Sequence, residues 1–238
     1  MKVFSGTSNP ALTNAICQYM GIEPGSARIE RFPDSELIIR CEDDVRGRDC
    51  FVVQSSCEPV DSNLMELLIF LDCLRRASAN RVTAVVPYFG YARQDRKDVG
   101  RTPITAKLVA NLMVTAGAGR VLAIDLHAQQ LQGFFDIPLD HLLAEPVFAK
   151  YFSGKGLSNL TMVAPDVGNM KTAARYASAL GASLAIIHKR RISGVAVEAG
   201  EMIGDVGGQN VLMCDDIIST AGTRSEERRV GKECATGC

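Results

Sequence analysis

The sequence predicts an α/β fold in which a mostly parallel sheet is covered by helices. Two observations carry this: short apolar runs rich in Val and Ile recur along the chain, and longer segments of helical period separate many of them. A third observation bounds it. With 238 residues, 47% hydrophobic and 22% charged, the chain can bury one large core or two modest ones.

The elements follow in order. The first apolar run, residues 2–4, leads into SGTSNP, where Asn9 reads as a helix cap and Pro10 as the first helical position. Strands are expected at 28–30 and 36–39, joined through RFPDSE, and again at 51–54. A helix beginning at Asp61 places Leu64, Leu67, Leu68, Leu71 and Leu74 on one stripe, which is its core face. Further strands are expected at 82–86, 121–124, 161–163, 184–187 and 211–214. IPLDHLLAEP, residues 137–146, sets two prolines between a loop and a new helix, so a domain boundary is placed there, separating 1–144 from 145–223. No repeat is visible at the residue level.

A net charge of −1 offers no excess that would attract nucleic acid or acidic lipid, so neither is expected as a partner. The first residues, MKVFSGTSNP, lack the apolar stretch of a signal peptide, and no segment is long enough to span a membrane. Cys17, Cys41, Cys50, Cys57, Cys73 and Cys214 are scattered, with no CxxC pair, as expected of free thiols in the cytoplasm.

Four stretches carry chemistry. In VLMCDDIISTAGT an apolar strand delivers Asp215 and Asp216, followed by Ser219, Thr220, Ala221, Gly222 and Thr223. The carboxylates accept hydrogen bonds and suit the vicinal hydroxyls of a ribose; the amides and hydroxyls of the small residues donate and suit a terminal phosphate. The stretch reads as a ribose 5-phosphate cradle, or else as an ordinary strand-to-turn with solvated acids. It is no Walker A loop. PYFGYARQDRKDVGRTP crowds Arg93, Arg96, Lys97 and Arg101 into a loop anchored by Tyr88, Phe89 and Tyr91. That composition suits a polyphosphate, and equally a solvated loop with salt bridges to Asp95 and Asp98.

In VLAIDLHAQQLQGFFD, Asp125 and His127 lie two apart at the end of a strand and are expected to share a face, as a metal pair or as hydrogen-bonded core groups. Asp166 in VAPDVGN is open to a metal role or a helix-cap role. His141 and His188 have no partners of metal-ligand spacing and read as structural. Finally, IIHKRRISG brings Lys189, Arg190 and Arg191 out of a strand, either as a solvated end or as cations that close over a transferring phosphoryl group.

Taken in order, SGTSNPALT, RFPDSE, RRASANR, PYFGYARQDRK, ITAKLVANL, DLHAQQLQGFFDIP, APDVGN, HKRR and DDIISTAGT resemble the ribose-phosphate diphosphokinase family, also called phosphoribosyl pyrophosphate synthetases, over residues 1–223. The resemblance implies two domains of phosphoribosyltransferase type, magnesium, and transfer of the diphosphoryl group of ATP to the anomeric hydroxyl of ribose 5-phosphate, with AMP released. It assigns Phe32, Asp34, Ser35 and Glu36, with Arg93 and Gln94, to ATP, and His127 and Asp166 to the metal with Asp125 close by. Lys189 matches the catalytic lysine and Arg191 its partner, which also meets ribose 5-phosphate. Asp215, Asp216 and Ser219 to Thr223 match the ribose-phosphate loop. Homo-hexamers are usual in the family, and 1–144 and 145–223 become the ATP-binding and ribose-phosphate-binding domains.

Some letters depart from the family pattern. Ser35 and Asn169 stand where Gly is usual, Ser219 where an acid is usual, and Lys171 where an uncharged residue is commoner. They keep open a regulatory homologue that binds nucleotides without turnover, against which intact His127, Asp166, Lys189 and Arg191 argue. A phosphoribosyltransferase that consumes the activated sugar would share DDIISTAGT but leaves YARQDRK and DLHAQ unexplained. RSEERRVGKEC, residues 224–234, matches the translation of a common sequencing-library adapter. The expectation is that 224–238 is a non-native tail, that the second domain is cut short after Thr223, and that a chain ending so is inactive.

Overall fold

The structure, a computed structural model, describes residues 1–187 and 202–217, and the backbone of 190–191 and 197–198. It forms two compact units, Met1–Leu143 and one that starts at Ala144.

The first unit runs β1 (Lys2–Ser5), α1 (Pro10–Met20), β2 (Ala27–Arg31), β3 (Leu37–Cys41), β4 (Asp49–Val53), α2 (Val60–Arg76), β5 (Arg81–Val86), α3 (Thr105–Ala116), β6 (Arg120–Ile124), a 3-10 turn (Gln129–Phe134) and β7 (Leu139–Leu142). Its main sheet has the order β1-β4-β5-β6-β7 and is parallel throughout, while β2 and β3 pair as a separate antiparallel hairpin. Local chemistry sets the helix ends. Asn9 Oδ1 accepts from Leu12 N at 3.1 Å, Pro10 opens α1, and Gly21, at φ 65°, closes it in the left-handed region that glycine enters without strain. On α2, Leu67, Leu71 and Leu74 are fully buried, with Phe70 beside them, so the expected leucine stripe is the face that meets the sheet.

The second unit contains α4 (Glu145–Ser153), β8 (Leu160–Ala164), α5 (Met170–Leu180), β9 (Ser183–Ile187), β10 (Arg190–Arg191), β11 (Val197–Glu198), β12 (Met202–Ile203) and β13 (Asn210–Met213). Its larger sheet has the order β12-β9-β8-β13; β9 and β13 flank β8 in parallel and β12 is antiparallel. Met162 points to α5 and packs with Tyr176 and Ala177, whereas Val163, next along the strand, joins Ala185 and Ile187 in a separate cluster with Met202 and Val206. Gly204 lets the chain pass over β9: at φ 112°, a Cβ there would lie 2.8 Å from the Ala185 Cβ.

All nine strands expected from the sequence are present, with ends shifted by one or two residues. Strand β7 was not expected. Its sequence, LDHL, has no Val/Ile run, because an edge strand needs only half-burial; Asp140 instead receives Arg120 Nη1 at 2.7 and 2.9 Å. The short β10, β11 and β12 were not expected either, since two residues carry no periodicity.

Lys2 Nζ meets Asp43 Oδ2 at 2.8 Å, and Ser26 N donates to the same oxygen at 3.1 Å. The Lys2 hydrogen bond, above all, holds the Asp43 carboxyl below its ordinary value. A carboxyl depressed in the folded state stabilises the fold fully above the unfolded value of about 4 and loses that contribution as pH falls through the folded value. Asp43→Asn should therefore flatten the acid limb of the stability curve below about pH 4, as read by urea denaturation. An acid limb as steep as in the unmodified protein would contradict this.

Candidate functional site

A parallel sheet puts the carboxyl ends of its strands along one edge, and four loops of the first unit leave such ends. SGTSN follows β1, Gln54-Ser55-Ser56 follows β4, PYFGYARQD follows β5 and DLHAQQ follows β6. Hydrogen bonds tie the first three loops together. Ser8 N donates to Gln54 Oε1 at 3.0 Å and Ser55 N to Ser8 Oγ at 2.9 Å; Ser56 N then donates to Tyr88 O at 3.0 Å and Gly90 N to Ser56 Oγ at 3.0 Å.

At the base of this edge lies Glu66 of α2, 2% exposed, whose two oxygens accept from Thr7 N and Thr7 Oγ, both at 2.6 Å. Gln54 is equally buried and crowds Gly6, where a Cβ would come within 2.1 Å of Gln54 Oε1. Sequence reasoning missed this network. Its available signal was one acid in an otherwise apolar run, NLMELLIF.

RFPDSE forms the tip of the β2–β3 hairpin. Phe32 N donates to Glu36 O at 2.9 Å, Ser35 N to Phe32 O at 2.8 Å, and Glu36 N to Asp34 Oδ1 at 3.1 Å. Arg31 holds the tip from below, donating to Ser35 O at 2.9 Å and to Ser62 Oγ of α2 at 2.8 Å. Beside it lies an open groove of about 490 Å³ lined by Arg31, Ser35, Glu36, Asp61, Ser62 and Met65. Phe32 is about half exposed. Ser35 has φ 75°, the left-handed region in which a side chain is strained, which accounts for glycine being the usual residue there.

The YARQD loop is fixed at several points. Phe89 is buried edge-on against Phe135 with ring centroids 5.8 Å apart, and the Tyr91 hydroxyl donates to Asp61. Gln94 accepts from the Thr105 hydroxyl through its side chain and from Ala106 N through its carbonyl, and Gln130 Nε2 donates to Asp95 Oδ2 at 3.0 Å. Arg93 and Gln94 therefore stand on a braced loop, joined to the DLHAQQ segment through the Asp95–Gln130 bond. Of the four cations, Arg96 pairs with Asp98 at 2.8 Å; all four are exposed.

Strand alternation is no basis for a shared face of Asp125 and His127. β6 ends at Ile124 and Asp125 turns to φ 44°, so strand alternation no longer governs either side chain. His141 is structural, as expected: its Nε2 accepts from Leu126 N at 3.0 Å and so supports the Asp125-to-His127 turn from β7.

In the second unit, β8 is the first strand, and its neighbours β9 and β13 lie on opposite sides. At such a reversal an open α/β sheet has its ligand-binding crevice, here outside the carboxyl ends of β8 and β13. Asp166 leaves β8 there, and Asp215 and Asp216 leave β13. Asp166 Oδ1 accepts from Asn169 N at 2.9 Å, shaping the entry to α5. Asn169 Nδ2 crosses to the other strand end, donating to Cys214 O at 2.9 Å and to Asp215 Oδ1 at 3.3 Å. Asp215 is accessible to solvent, but enough protein surrounds its carboxyl that desolvation, then the adjoining Asp216 and the charge of Asp166, push it up to about 6.

Thus Asp166 is brought together with Asp215 and Asp216, and RFPDSE with the start of α2. Lys189, Ser219, Thr220, Ala221, Gly222 and Thr223 lie outside the described residues, as do His188 and 224–238. Arg191 is described only as backbone, paired with Val197. Among the described residues no group of three or more His, Cys, Asp or Glu is arranged to hold a metal ion by itself, and no helix is long and apolar enough to cross a membrane.

Comparison with known proteins gives a consistent result. Residues 1–117 match the model of the N-terminal domain of ribose phosphate pyrophosphokinase. The chain is 53% identical over 225 residues to the ribose-phosphate pyrophosphokinase of Fusobacterium nucleatum, covering 94% of this chain and 71% of that one. It is 49% identical over 223 residues to the Bacillus subtilis ribose-phosphate pyrophosphokinase, covering 94% and 70% respectively. The crystal structure of phosphoribosylpyrophosphate synthetase from Mycobacterium smegmatis superimposes with a TM-score of 0.90 at 38% identity, covering 98% of this chain and 76% of that one.

The strained Ser35 can be tested directly. Ser35→Gly should stabilise the fold by about 1 kcal/mol, because the left-handed conformation costs a side chain about that much. A urea midpoint that stays put or falls would show that the hairpin tip is not strained there.

Proposed function

The chain belongs to the ribose-phosphate pyrophosphokinase family, and from that premise we propose that it forms phosphoribosyl pyrophosphate from ATP and ribose 5-phosphate through the residues named above. The anomeric oxygen of ribose 5-phosphate attacks the β-phosphorus of ATP, the bond from that phosphorus to the α-phosphate oxygen breaks, AMP leaves, and the hydroxyl proton is released. The observation that carries the assignment of residues is the acid-lined crevice at the ends of β8 and β13. Asp215 and Asp216 are acceptors placed where an open α/β sheet binds ligands, as vicinal ribose hydroxyls require.

In this reading residues 1–144 hold ATP and residues 145–223 hold ribose 5-phosphate. Phe32, exposed at the hairpin tip, offers an apolar face to the adenine, while Asp34, Ser35 and Glu36 offer acceptors and donors to the nucleoside. Arg93 and Gln94 continue the site on a loop braced against α3, so little ordering cost remains when the polyphosphate binds. Ser219 to Thr223 supply donors to the 5-phosphate. Phosphoryl transfer passes through a loose, highly charged transition state, so the protein contributes alignment and charge neutralisation. Lys189, with Arg191, supplies fixed positive charge there.

Magnesium is the divalent ion we assign; in the first unit Asp125 offers an oxygen donor and His127 a nitrogen donor, and in the second unit Asp166 offers an oxygen donor. The carboxylates fit: Asp166, Asp215 and Asp216 gather acceptors at one place, and Asp215 is pushed up to about 6 by desolvation and then by Asp216 and Asp166. His127 fits less well, since a nitrogen donor is a poor match for a hard cation. When bound, magnesium would neutralise charge on the phosphoryl oxygens. We further propose self-association, with the hexamer as the expected assembly, and a cytoplasmic location, which the free thiols of Cys17, Cys41, Cys50, Cys57, Cys73 and Cys214 support.

Calorimetric titration of the full-length gene product with ATP and with ribose 5-phosphate should detect both ligands, and AMP should appear only when both are present with magnesium. No uptake of either ligand would refute the proposal. Lys189→Ala should lower kcat by at least about a hundredfold with an unchanged thermal midpoint; AMP release surviving that change would remove Lys189 from its assigned role.

A further inference from the structure

We propose that Asn169 is a positioning residue for the sugar: its carboxamide, bridging the ends of β8 and β13, fixes the Asp215 carboxylate in the orientation that receives a ribose hydroxyl. The inference rests on the β8–β13 crevice being the ribose 5-phosphate site.

The argument begins with what Asn169 does not do. It occupies the N-cap position of α5, where an Asn side chain ordinarily accepts from a backbone amide two or three residues on, yet it makes no such bond. Asp166 shapes the helix entry instead, through the 2.9 Å bond from Asn169 N to Asp166 Oδ1. The Asn169 carboxamide is thereby directed across the crevice. A primary amide carries two N–H donors. Asn169 Nδ2 donates to Cys214 O at 2.9 Å, a main-chain anchor, and to Asp215 Oδ1 at 3.3 Å, the carboxylate itself.

Asp216 N donates to the same Asp215 oxygen at 2.9 Å. Two donors from two different strand ends thus converge on one carboxylate oxygen, which sets the plane of the group and therefore the direction of its other oxygen. A carboxylate free to rotate must be ordered by the ligand at a cost in affinity; one already held avoids that cost. Asn169 also brings side-chain donor dipoles to a place where the carboxylates of Asp166, Asp215 and Asp216 are acceptors. The family's usual Gly at this position has no side chain with which to do either. The backbone at Asn169, φ −87° and ψ −2°, is one that any residue adopts, so the change from Gly adds the amide without strain.

The alternative is that Asn169 merely fastens α5 to β13, and the two are separable. In the full-length gene product, Asn169→Gly and Asn169→Asp would be compared with the unmodified protein for binding of ribose 5-phosphate, 2-deoxyribose 5-phosphate and 3-deoxyribose 5-phosphate by calorimetry, alongside thermal midpoints. Positioning predicts that Asn169→Gly weakens ribose 5-phosphate about three- to tenfold. It also predicts that discrimination against the less favoured deoxy sugar shrinks by the same factor while ATP affinity stays constant. Asn169→Asp, nearly isosteric and itself a good cap residue, should bind ribose 5-phosphate more weakly than Asn169→Gly, because it faces Asp215 with an acceptor and a like charge. A fastener predicts that both variants lower the thermal midpoint while discrimination between the sugars stays unchanged, since neither Gly nor Asp can donate to Cys214 O. Discrimination that survives in Asn169→Gly, or an Asp variant that binds as well as Asn, would overturn the inference and leave the crevice assignment standing. Failure of the unmodified protein to bind ribose 5-phosphate would overturn the crevice assignment and the inference together.

Discussion

Mutual repulsion among Asp166, Asp215 and Asp216 is the constraint on which the chemistry of the second unit depends. Two parallel strands, β8 and β13, end side by side and deliver these acids to one crevice. Like charges about 4 Å apart oppose one another by about 1 kcal/mol even in water, and by more as protein replaces solvent. Asp215, pushed up to about 6 first by desolvation and then by Asp216 and Asp166, registers this in part. What relieves it is a short set of donors, Asn169 Nδ2 and the Asp216 amide, and they do so without neutralising any charge. The crevice therefore stays acceptor-rich, which favours hydroxyl donors and a divalent cation and disfavours bare phosphate. A phosphate must be received by other groups, so a sugar phosphate in this unit has to lie with its hydroxyls at the acids and its ester at separate donors.

The first unit meets a related problem in the opposite way. There the strand order never reverses, so no switch point arises from topology, and the carboxyl edge is assembled from loops. Loops hold a shape only when their polar groups are satisfied. Buried Glu66 and Gln54 provide for that, receiving the amides of Thr7 and Ser8, while Ser55 and Ser56 pass the connection on to Tyr88 and Gly90. A buried carboxylate that accepts two bonds from one threonine leaves little freedom, and Gly6 is glycine because Gln54 occupies the space a side chain would need.

The sheet strands were legible because burial on both faces requires continuous apolar runs, and the capping of α1 because Asn9-Pro10 is a local signal. Strand β7 was not, since an edge strand needs no such run. The functional motifs were legible as residue types, and Asp166, Asp215 and Asp216 do share one crevice. Relations set by the three-dimensional path were not legible. The expectation of a shared face for Asp125 and His127 assumed that the strand continued, and it ends at Ile124, before the turn at Asp125. Nor could spacing disclose that Asn169 reaches Asp215, because 46 residues separate them in sequence.

Ser35 and Asn169 make the same point from two sides. Both stand where glycine is usual, and as letters they are equivalent departures. The backbone separates them. At φ 75° Ser35 retains a conformation that suits glycine, and the bonds that hold the hairpin tip, from Arg31 to Ser35 O and from Ser35 N to Phe32 O, are main-chain bonds that a glycine would make equally well. The serine side chain adds strain to a structure it does not build. At φ −87° Asn169 carries no such cost, and its side chain makes contacts that glycine cannot. A glycine replaced at positive φ is thus read first as a question of strain, whereas one replaced at negative φ is read by asking what the new side chain touches.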